Sequence, residues 1–116
     1  MLTIRDAQLA ALADASDRRF FERLVGHARG EHPELARALG EAGLRARVAE
    51  AVARADAWGL RAEDETGFAV DLVLRLGDRL DDDPRYGAVR AALGDPALRG
   101  EEKFVLASEA LAAVPA

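Results

Sequence analysis

A chain of 116 residues with a net charge of −5 and no cysteine is long enough to enclose one hydrophobic core, and it cannot build disulfides or cysteine-ligated zinc and iron–sulfur centres. The charge is uneven: residues 1–58 carry nine Arg against nine Asp or Glu, whereas residues 59–116 carry seven basic against twelve acidic residues. No basic stripe remains to neutralise phosphates, which argues against nucleic acid and against an anionic membrane surface as partners.

Ala, Leu, Arg and Glu dominate, aromatics make up only 5% of the chain, and alternating β-branched runs are missing. The expected fold is therefore all-α, a single-domain bundle of about six helices over residues 1–116 with short connections. Thr3 with Asp6 reads as a capping box opening a short helix whose stripe is Leu9, Leu12 and Ala13. Asp14, Ala15 and Ser16 are read as an interruption. Asp14 or Ser16 then caps a second helix running to His27 or Arg29, with Phe20, Phe21, Leu24, Val25 and Ala28 on its buried face. Gly30 and Pro33 punctuate the chain.

A short helical segment over 33–39 should end at Gly40 in a left-handed conformation. Residues 43–58 give the clearest helix, because Leu44, Val48, Ala51, Ala55 and Trp58 recur at helical spacing; Gly59 stops it and Leu60 can fold back on its last turn. Glu63, Asp64 and Glu65 suit a helix N-terminus, and the apolar run from Phe68 to Leu76 marks the central helix, stopped by Gly77. Asp83–Pro84 reads as N-cap plus first position of a helix with the stripe Tyr86, Val89 and Leu93, ended by Gly94. Asp95–Pro96 starts another turn. A last helix over 101–114 should turn Phe104, Ala107, Leu111 and Val114 inward.

Chemistry-bearing constellations are sparse. His27 and His32 are the only histidines. Five residues apart, they would diverge by about 140° on a continuing helix, unlike the four-residue spacing of helical zinc ligands. The acids Asp78, Asp81, Asp82 and Asp83 fail the calcium-loop register, because Pro84 follows them and the glycine comes late, at Gly87. They read instead as a solvated loop in which Asp83 caps the next helix. Asp71, amid Val70, Leu72, Val73 and Leu74, is the one carboxylate with apolar sequence neighbours, and Arg75, four residues on, is its expected partner. Ser16 and Ser108 lack nucleophile-elbow glycines, and no phosphate-binding or dinucleotide loop is present. No metal, cofactor or catalytic residue is expected.

The candidates for partner contact are aromatic and acidic. Phe21, beside Phe20 but pointing about 100° away from it, Trp58 at a helix end and Tyr86 near a helix start are the candidate anchors. Asp78, Asp81 and Asp82 could steer a basic partner. No secretory-signal pattern is read in the first twelve residues and no run approaches a membrane span, so a cytoplasmic location is expected.

Several blocks taken in order resemble those of small helical bacterial proteins encoded beside type VI secretion spike, PAAR-type and polymorphic-toxin genes. They are Met-Leu-Thr-Ile-Arg-Asp-Ala-Gln at the start, Phe21-x-Arg-Leu-Val-x-His27 with Pro33, and Leu39-Gly-Glu-x-Gly-Leu-Arg45 leading to Trp58-Gly-Leu60. Asp71-Leu-x-Leu-x-Leu-Gly77 and Leu80-Asp-x-Asp-Pro84 follow. The resemblance implies a bacterial, non-enzymatic accessory of effector delivery, an adaptor or chaperone, whose partner is an effector, toxin or spike-associated protein encoded nearby. An immunity protein neutralising a cognate toxin is the alternative. A third reading, from a different class, is a small enzyme or ligand binder using Asp71, His27 or His32.

Overall fold

In the computed structural model, which describes the backbone of residues 4–115 and the side chains of residues 17–115, every regular element is helical. Helix α1 spans Ile4–Glu31 and α2 spans Pro33–Ala57. Helices α3 (Glu63–Leu76), α4 (Arg79–Asp82), α5 (Gly87–Gly94) and α6 (Gly100–Ala112) complete the bundle, with a 3₁₀ turn at Pro84–Tyr86 leading into α5. The all-α bundle of about six helices expected from the sequence is the fold observed. No helix among the described residues is long and apolar enough to cross a membrane.

The expected interruption at Asp14–Ser16 does not occur, and α1 passes through it unbroken. Asp and Ser are weak helix formers rather than breakers, and neither a proline nor a left-handed glycine stands there. Gly30 is likewise helical, and the helix ends only at Glu31, where Pro33 disfavours a helical residue before it. The Thr3–Asp6 capping box, the Ser16 cap and the side chains of Leu9, Leu12 and Ala13 lie outside the described residues.

The second helix follows the sequence closely. Gly40 has φ 72° and ψ 173°, so α2 is two helical segments joined at a kink where only glycine sits without strain. Leu44, Val48, Ala51 and Ala55 form its buried stripe. At its end the Leu60 N–H donates to the Ala55 carbonyl at 2.8 Å and the Gly59 N–H to Asp56 at 3.0 Å, the paired bonds of a Schellman cap, with Gly59 at φ 77°. Leu60 is thereby drawn into the core at 1% exposure.

Helix α3 is central because both its faces are apolar. Ala69, Leu72 and Leu76 pack with Leu60, Leu80, Tyr86, Val89, Leu93 and Ala107. Val70, Val73 and Leu74 pack with Leu24, Val25 and Ala28 of α1 and with Leu44, Val48 and Ala51 of α2. Trp58 touches both clusters at the seam. Asp83 caps the 3₁₀ turn by accepting the Arg85 N–H at 2.9 Å, as the Asp-Pro step implies. On α6, Ala107 is fully buried, whereas Phe104 and Leu111 are only half-buried, as is Val114 just beyond the helix end at Ala112.

Candidate functional site

On α1, Phe20, Arg23, Leu24 and His27 stand at helical i, i+3, i+4 and i+7 positions and so share one face. On α3, Asp64, Gly67, Phe68 and Asp71 do the same. The two faces meet Phe104 of α6 and enclose an open groove of about 540 Å³. Its floor is Leu24 with the half-buried rings of Phe20, Phe68 and Phe104; the last two lie 5.1 Å apart and tilted by 48°. At one end Arg23 pairs with Glu63 at 2.6 Å. A Cβ added at Gly67 would meet nothing within 4 Å, so this glycine leaves open space above the floor.

At the other end three residues distant in sequence converge. The His27 Nε2 lies 3.0 and 3.1 Å from the two Asp71 carboxylate oxygens, and the His32 Nε2 lies 3.0 Å from Oδ1. An ionised carboxylate only accepts, so both rings donate through Nε2–H and, when neutral, keep a lone pair on Nδ1. The convergence corrects two expectations. His32 leaves the helical path at φ −129° and ψ 59°, so the divergence expected of a continuing helix does not apply. And Asp71 pairs with the two imidazoles instead of Arg75, whose guanidinium makes no ion pair among the described residues.

Chemically, the triplet offers the His27 imidazole at the groove edge, while the more buried His32 shares Asp71 without being among the groove's lining residues. Among the described residues no hydroxyl lines that groove, and the chain has no cysteine, so no Ser–His or Cys–His pair is assembled there from them. Among the described residues no three His, Asp or Glu side chains are placed to hold a metal ion.

The six partner-contact candidates do not form one surface. Phe21 is half-buried beneath Arg45, whose guanidinium lies 5.9 Å from the ring. Arg45 also binds Glu22 through two bonds of 2.8 Å and Glu41 at 3.1 Å, and Arg29 binds Glu41 at 2.9 Å. The Arg45 guanidinium on Glu22, and chiefly that of Arg29 on Glu41, hold these carboxyls below the usual carboxylate range. Trp58 is half-buried at the core seam, with Arg54 stacked 4.8 Å from its ring. Tyr86 is only 7% exposed and belongs to the core cluster, with the Arg85 guanidinium 5.9 Å from its ring. It is buried because the 3₁₀ turn aims it into the cluster around Leu72. Asp81 is clamped by Arg54 at 2.6 Å, while Asp78 and Asp82 are exposed. Hydrogen bonds from the Arg85 side chain keep the Asp83 carboxyl low.

Phe68, Phe104 and Gly67 were not singled out as contact residues by the sequence, although the α1 half of the groove is legible as a helical face. No protein-family model, curated protein or solved structure matches this chain.

Proposed function

We propose that the chain is a non-catalytic protein-interaction module that seats an apolar segment of a partner in the groove between α1, α3 and α6. The observation that carries this reading is the groove floor: three half-buried phenyl rings and Leu24, rimmed by charged side chains and, among the described residues, without a hydroxyl. An apolar floor inside a polar rim suits an amphipathic helix laid lengthwise. Exposed Asp78 and Asp82, with the acidic second half, favour a partner carrying basic flanks. The blocks quoted from the sequence extend the proposal to an accessory of a type VI secretion or related effector system, acting as adaptor or chaperone; immunity against a cognate toxin is the narrower form of the same docking.

Co-expression with the product of a neighbouring gene tests it. The two proteins should co-purify. Gly67→Leu, which adds a good helix former in open space, should keep the helical circular-dichroism spectrum yet weaken capture by at least about tenfold, because it fills the groove. A neighbour that never co-purifies and is soluble and active alone defeats the interaction reading. Undiminished capture by the Gly67→Leu variant would remove the groove from it.

A second reading is favoured by the His27–Asp71–His32 triplet, which would serve a small-ligand or catalytic site. The variant His32→Asn separates the two, because His32 holds Asp71 but is not among the residues lining the groove. A docking module should hold its partner to within about threefold, since its groove contacts stay in place. A site that works through the imidazoles would lose its activity or ligand altogether.

A further inference from the structure

The pairing of Asp71 with two histidines leaves Arg75 without the carboxylate that its sequence position offers, and the consequence lies toward the C-terminal end of α3. There a second groove, of about 530 Å³, opens between the end of α3, the 3₁₀ turn and the last two turns of α6. Its rim holds three guanidiniums, Arg75, Arg79 and Arg85, and no carboxylate among the described residues lines it. Arg85 is committed to Asp83 at 2.7 Å. Arg79 makes no ion pair among the described residues and spends one N–H on the Arg75 carbonyl at 3.0 Å. The Arg75 side chain makes no hydrogen bond or ion pair among the described residues. Elsewhere in the chain the Arg side chains at 23, 29, 45 and 54 are each taken up by a carboxylate. The floor beneath the three guanidiniums is apolar, made by Phe68, Leu111 and Val114, with the Ser108 side chain beside them.

We infer that this groove binds an amphiphilic anion, a carboxylate or phosphate head held by Arg75 and Arg79 on an apolar body lying over Phe68 and Leu111. Guanidinium forks match the paired oxygens of both head groups. The volume falls in the range of small-molecule sites, which are mostly apolar with a few placed polar groups. An anion is otherwise repelled by a chain of net charge −5, and a rim on which three guanidiniums stand with no carboxylate among the described residues offers it a place. The two grooves share the Phe68 ring but not their rims, and this site stands whether or not the other binds a protein.

The probes are decanoate and decyl phosphate, below their micelle concentrations, against the full chain by calorimetry and amide NMR. At least one should saturate a single site, shifting the amides of Arg75, Ser108 and Leu111; whichever binds more tightly identifies the head group. Decanol, which lacks the charge, and inorganic phosphate, which lacks the tail, should each bind at least about tenfold more weakly. The double variant Arg75→Gln, Arg79→Gln should weaken the amphiphile by at least about tenfold without changing the thermal midpoint, since both side chains are exposed, while Arg61→Gln should match the wild type. Saturation failing for both amphiphiles, decanol binding as tightly as decanoate, or undiminished binding by the double variant would each overturn the inference.

Discussion

Replacing Lys103 with glutamate is expected to lower the free energy of unfolding by about 3–5 kcal/mol, a large share of what a domain of this size has. Lys103, the chain's single lysine, is only 8% exposed, and its Nζ donates to the Trp58 carbonyl at 2.7 Å. That carbonyl belongs to the C-cap of α2, where helix carbonyls lack internal partners and the helix dipole places negative charge. The ammonium therefore binds α6 to the turn between α2 and α3 across 45 residues of sequence. Close backbone approach supports the contact: a Cβ at Gly100 would come within 2.8 Å of the Gly59 carbonyl oxygen. Glutamate removes the donor and buries a carboxylate against a carbonyl. Methionine, which keeps the length and loses only the charged hydrogen bond, should cost about 1.5–3 kcal/mol. Urea denaturation measures both. If the glutamate variant unfolds at the wild-type midpoint, α6 is held by its apolar face alone. The consequence is functional as well as structural, since Phe104 beside Lys103 floors one groove and Ser108 and Leu111, further along α6, line the other.

Short-range grammar made much of the fold legible. Gly40, the Trp58-Gly59-Leu60 cap, the Asp83–Pro84 step and the apolar run of α3 each follow from local propensity and spacing, and each stands where those rules put it. At Asp14–Ser16 the cap preference of Asp and Ser points to a break, but a helix interior tolerates both and α1 continues through them. The candidate site was less legible because its parts are joined only by tertiary contact. Asp71 has a natural helical partner four residues on, and nothing local shows that two histidines 44 and 39 residues away displace it. Helical spacing can place Phe20 on the face of His27, but the meeting of Phe68 with Phe104 requires the packing of α6 on α3. Tyr86 shows the same limit in reverse: an aromatic at a helix start looks available until the 3₁₀ turn rotates it inward.

Truncating Leu72 to alanine should cost about 2–5 kcal/mol, the range for removing a buried leucine side chain and leaving part of its volume unfilled. Leu72 is 2% exposed and faces the cluster built with Leu76, Tyr86, Val89 and Leu93. Leu106, 43% exposed on the outer side of α6, provides the contrast: its alanine variant should stay within about 0.5 kcal/mol of wild type. The informative measurement is the comparison of two probes in the Leu72 variant. Far-ultraviolet circular dichroism reports all helices, whereas the fluorescence of Trp58, the chain's single tryptophan, reports the seam where the two clusters meet. Because α3 contributes Leu72 to one cluster and the neighbouring Val73 to the other, loosening one side must disturb the helix that supports the second. Both signals should therefore shift together to a lower midpoint in a single cooperative transition. A fluorescence change that precedes the loss of helix would mean that the two clusters melt separately. Both grooves would then lose part of their lining, since Phe104 of α6 floors the first and Ser108 and Leu111 of α6 line the second.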